Sequence, residues 1–111
     1  MQPEKMTLEN IEHEMASQTH PGRLAELRVV LSSKYAKATN EYEKVLIIKP
    51  KLWNAMRDDF KSDTACERAW EATEDGMKER HWKFQIRKIE RMMSAIKTLI
   101  EVKTGEARNL Y

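Results

Sequence analysis

Trp82-Lys83-Phe84-Gln85-Ile86-Arg87-Lys88-Ile89-Glu90-Arg91-Met92-Met93-Ser94-Ala95-Ile96-Lys97-Thr98-Leu99-Ile100 is the stretch that decides the fold. Trp82, Ile86, Ile89, Met93, Ile96 and Ile100 step by 4, 3, 4, 3 and 4 residues. That is the period of one face of an α-helix. At 1.5 Å per residue the run is about 27 Å long. Gln85, Met92 and Leu99 flank the stripe and make it broader than the a/d seam of a two-stranded coiled coil. A face this wide suits a multi-helix bundle. The upstream helical stripe can cover part of this face within one chain, as an intramolecular helical hairpin. The long helices carry more apolar stripe than two short ones can cover, so the bundle is expected to be completed between subunits. Trp82, Ile86, Ile89, Met93, Ile96 and Ile100 are the expected oligomerisation residues.

Upstream, a second stripe runs through Leu24, Leu27, Leu31, Tyr35, Ala38, Tyr42 and Val45 at helical steps. It predicts a helix over 22–47. Val45-Leu46-Ile47-Ile48 then leads into Lys49-Pro50. A proline disfavours helix at the preceding residue and starts a new segment well, which predicts a break or kink here and a short helix over 51–61. Ser62 or Asp63 caps a last helix expected over 63–104, with Cys66, Trp70, Thr73 and Met77 as its first stripe. Gly76 costs helix stability without having to interrupt it. Gly105 is expected to end the helix and leave 105–111 as a tail. Near the N-terminus, Thr7 caps a short helix over 8–17, which Thr19-His20-Pro21-Gly22 ends. The expectation is an all-α protein: one helical domain over 1–111, with residues 1–21 as an N-terminal helix able to pack or swing.

The chain has 111 residues, of which 34% are charged and only three are Gly and three Pro. That favours long solvated helices over a turn-rich β fold. The single cysteine, Cys66, has no internal disulfide partner and no metal-ligand spacing around it, so it is expected to be a small buried apolar residue. The longest apolar run, Val45 to Ile48, is far too short to span a bilayer. With no signal-peptide pattern, the expected location is cytoplasmic.

No Gly-rich phosphate loop, zinc-binding His pair or nucleophile elbow occurs. His13, His20 and His81 lie on separate segments. The expectation is a protein with no catalytic residues, no metal and no cofactor. Net charge is +2, but it is unevenly spread. Residues 1–21 carry −3, 22–62 carry +4, 63–76 carry −4 and 77–111 carry +5. Alternating blocks of this kind feed an anion site or draw subunits together.

Two segments have binding character. In the first, Lys49, Lys51, Arg57 and Lys61 alternate with Trp53 and Phe60. Single-stranded nucleic acid is held by cations that track phosphates and by aromatic faces that take bases. Asp58 and Asp59 weaken the field there, and the alternative is that Trp53 and Phe60 are core and the lysines ordinary solvated surface. The second is a basic stripe through Arg80, Lys83, Arg87, Lys88 and Arg91, with Phe84 among them and Glu79 and Glu90 interrupting. The candidate nucleic-acid residues are Lys49, Lys51, Trp53, Arg57, Lys61, Arg80, Lys83, Arg87 and Arg91.

The layout resembles phage recombination mediators of the UvsY type. The likeness covers residues 24–104 in outline. It runs from a helix with Ser33-Lys34-Tyr35, through Lys49-Pro50-Lys51-Leu52-Trp53 and a gap at Ser62-Asp63, to a Trp70-bearing helix and a C-terminal assembly helix. The resemblance implies an oligomer in the host cytoplasm that binds single-stranded DNA and helps to load a recombinase. Lys49, Lys51 and Trp53 would match its DNA-binding segment, and residues 82–100 its assembly helix. The acidic pair Asp58-Asp59 is a departure. The alternative is a helical protein-interaction module, such as a phage assembly adaptor or an inhibitor of a host protein.

Overall fold

The computed structural model describes residues 6–17 and 20–109, for 106–109 the backbone only. The described residues form four helices and no strand: α1 (Leu8–Ser17), α2 (Pro21–Arg57), α3 (Asp63–Glu71) and α4 (Glu74–Asn109). The protein is all-α, as its periodicity predicts. Two compact units divide the chain. One takes the residues up to Ala36 and those from Arg87 on; the other is Lys37–Ile86.

The helix starts follow side-chain chemistry. Thr7 Oγ1 accepts from the Asn10 amide at 3.1 Å and caps α1. His20 supplies the cap of α2, its Nδ1 accepting from the Gly22 amide at 3.1 Å. Pro21 then fills the first helical position, where a missing N–H costs nothing. Ser62 Oγ accepts from Ala65 N at 3.1 Å and caps α3.

Three boundaries differ from the sequence reading. First, α2 does not break near Pro50 but runs on to Arg57. The missing N–H leaves the Leu46 carbonyl without its helical donor, at a cost of about 3 kcal/mol. Packing on both sides holds the helix through it, since Val45 is buried, Lys49 is tied to two acids and Trp53 meets α3. Second, the expected single helix over 63–104 is two helices, parted at Ala72 and Thr73. Thr73 Oγ1 donates to the Trp70 carbonyl at 2.6 Å and accepts from the Gly76 amide at 3.0 Å, ending one helix and capping the next. Gly76 is therefore part of the joint, and a Cβ at that position would overlap the Trp70 carbonyl oxygen. Third, α4 passes through Gly105 to Asn109, so the expected tail is helical over those residues.

In the first unit, Ile11, Leu24, Leu27, Leu31, Ile89 and Ile96 are the buried centre. Arg23 grips both carboxylate oxygens of Glu14 and also bonds Glu26 at 2.9 Å. Lys88 reaches Glu12 of α1 at 3.2 Å, and the Tyr35 hydroxyl donates to Glu90. In the second unit, Ala38, Val45, Cys66 and Trp70 are buried. Cys66 is fully covered, as expected of it, and burial pushes its thiol pKa up. No described helix is long and apolar enough to cross a membrane.

Candidate nucleic-acid interface

The segment from Lys49 to Lys61 brings its cations and ring together, but largely against acids of the same unit. Lys49 Nζ lies 3.3 Å from Glu67 and 3.2 Å from Glu79, and 5.6 Å from the centre of the Trp70 ring. Burial alone would lower the Lys49 pKa, but its bonds to Glu79 and Glu67 outweigh that and hold it above the ordinary lysine value. Trp53 Nε1 donates to Glu67 at 2.9 Å, and Trp70 Nε1 to Glu79 at 3.4 Å. Two carboxylates thus bind one ammonium and two indoles. Arg57 is held by Asp63 and by the Phe60 carbonyl. Three of the five candidates here, Lys49, Trp53 and Arg57, are engaged within the fold. Trp53 is half-buried, so its ring is only partly open to a base. Lys51 and Lys61 are exposed, with no ion pair to a described residue.

The stripe on α4 is arranged otherwise. Met77, Arg80, Phe84, Arg87 and Arg91 follow one another at steps of three or four and share one face of the helix. Phe84 is 70% exposed and Met77 55%, so Met77 is not the core residue its place in the first stripe predicts. Arg80, Lys83, Arg87 and Arg91 are exposed and make no ion pair with a described residue. The acids that interrupt this stretch in sequence point elsewhere. Glu79 turns to Lys49, and Glu90 receives the Tyr35 hydroxyl. Lys88 leaves the stripe for Glu12. An exposed aromatic ring thus stands among unpaired cations, on the side of α4 opposite its apolar stripe.

On that apolar stripe, Ile89 and Ile96 are buried within the chain, together with Met92. Trp82, Ile86, Met93 and Ile100 are half-buried. No family model, curated protein or solved structure matches this chain. The geometry alone therefore bears on function. Among the described residues, no group of three or more His, Cys, Asp or Glu side chains stands close enough to hold a metal ion. The Trp53–Glu67 and Lys49–Glu79 pairings escape sequence reading because their partners lie 14 and 30 residues apart.

Proposed function

We propose that this chain is a non-enzymatic helical binding protein that assembles into an oligomer and holds single-stranded DNA along the outer face of α4. The carrying observation is Phe84, exposed between Arg80, Lys83 and Arg87, none of which is neutralised by a described acid. A base stacks on an aromatic face whatever its identity, and flanking cations take the neighbouring phosphates. Arg91 extends the track by another turn, while Lys51 and Lys61 add long-range attraction. Lys49, Trp53 and Arg57 serve as scaffold in this reading. The half-buried Trp82, Ile86, Met93 and Ile100 support assembly, which multiplies a modest site by avidity. The recombinase partner implied by the UvsY-type layout remains part of the proposal.

The second reading, a protein-interaction module, is favoured by Ile47, which is 71% exposed on α2. Titration of a labelled single-stranded oligonucleotide at rising salt separates the two. DNA binding on α4 gives an affinity that falls steeply with salt. A protein-binding module gives no binding at any salt.

A further inference from the structure

A cleft of about 300 Å³ opens in the Lys37–Ile86 unit, between the end of α2 and the α3–α4 joint. Leu52, Ala55, Met56 and Trp70 are its apolar lining residues, and Asp59, Thr73 and Asp75 stand with them. Leu52 and Ala55 are exposed, so apolar surface faces water there. Neither aspartate forms an ion pair with a described residue. Of the cations near it in sequence, Arg57 is tied to Asp63 and Lys49 to Glu67 and Glu79, while Lys51 and Lys61 are exposed and pair with neither aspartate. An apolar cleft with unpaired acids selects a bulky apolar side chain flanked by cations.

The same unit carries such a group on α4. Phe84 is largely exposed, Arg80 precedes it by one turn, Lys83 adjoins it, and both cations are unpaired among the described residues. We infer that Phe84 of one copy seats in the Leu52–Met56 cleft of a second copy, with Arg80 and Lys83 facing Asp59 and Asp75. The two surfaces are different patches of one chain, so the contact is heterologous and repeats head to tail into a ring or a filament. Burying one aromatic side chain removes about 150–250 Å² from water, enough for an anchor in a contact that dissociates on dilution. Its charged rim makes it weaken with salt. The inference rests on the oligomeric part of the proposed function and moves the assembly contact from the Trp82–Ile100 stripe to Phe84. A ring seated in a neighbour's cleft is closed to a base, so a strand and a neighbouring copy compete for Phe84.

Sedimentation velocity on the full chain at low salt tests it. The unaltered protein should gain mass with concentration and lose it with added salt. Phe84→Ala, which keeps the cleft, and Asp59→Lys/Asp75→Lys, which keeps the ring, should each be monomeric. Mixed in equal amounts, the two variants should form a one-to-one complex, because one supplies the cleft and the other the ring. That complex also shows that both variants are folded. An unaltered protein that is monomeric at every concentration, variants that assemble like it, or a mixture that stays monomeric overturns the contact. Oligonucleotide binding is read separately. An unaltered chain that assembles but binds no strand, with the Asp59→Lys/Asp75→Lys chain monomeric, supports the contact and sinks the DNA reading. A chain that binds the strand but assembles as before does the reverse.

Discussion

The two basic-aromatic segments of this chain look alike in sequence and differ in what surrounds them. Around Lys49 and Trp53, the opposing helices present Glu67 and Glu79, and every polar group of the cluster finds a partner inside the unit. Around Phe84, the cations Arg80, Lys83 and Arg87 meet no described acid, and the ring faces water. The first arrangement fixes helices against one another; the second is open to a polyanion. Alternation of cations and rings is therefore insufficient to mark a binding surface. The position of the acids in space decides, and Glu79 shows why, since it is adjacent to Arg80 in sequence yet bonds to Lys49.

The first region is most vulnerable at its joint. Gly76→Ala sets a Cβ against the Trp70 carbonyl oxygen, a backbone atom with little room to move. Crowding of this kind costs about 3 kcal/mol, read as a lower urea midpoint. A variant as stable as the parent would mean that the α3–α4 joint is wrongly placed.

Removing the central cation should cost less. Lys49→Met leaves Glu67 and Glu79 without their ammonium and should destabilise the chain by about 1–3 kcal/mol, while oligonucleotide affinity stays the same. A large loss of affinity in a folded Lys49→Met protein would return the first segment to the binding surface. The pH dependence has a defined sign. The folded-state pKa of Lys49 lies above its ordinary value, so its contribution is fully present below about pH 10.4 and is lost as pH rises through the folded value. The stability gap between parent and Lys49→Met should be constant across neutral pH and narrow only in strong alkali. A gap that closes near neutral pH would point to a different titrating group.

Much of the fold was legible because helical periodicity is local. The stripe from Trp82 to Ile100, the caps at Thr7 and Ser62 and the burial of Cys66 all follow from neighbours in sequence. Pro50 misled because tertiary packing overrode its local preference. The α3–α4 joint did leave a signal in Thr73-Glu74-Asp75, a capping threonine followed by acids in a first turn, which the expectation of one helix over 63–104 passed over. The candidate site was legible only as composition. Neither the capture of Lys49 by Glu67 and Glu79 nor the inward turn of Glu79 follows from spacing, because both depend on how three helices pack.

In the second region the expected changes are in binding rather than stability. Phe84→Ala should leave thermal unfolding within about 0.5 kcal/mol of the parent, as for other exposed positions. It should weaken oligonucleotide binding about tenfold, the loss of roughly 1.4 kcal/mol of stacking. Fluorescence anisotropy with a labelled strand reads this directly, and an unchanged affinity would remove the ring from the site.

The proposed DNA site on α4 is tested most directly by the salt dependence of oligonucleotide affinity in the parent and in Arg80→Gln/Arg87→Gln. Taking two phosphate-binding cations from that face should lower the slope of log affinity against log salt by about two and weaken binding at low salt, with helical content unchanged. A parent that binds no strand, or a folded double variant with the parental slope, would contradict a DNA site on α4.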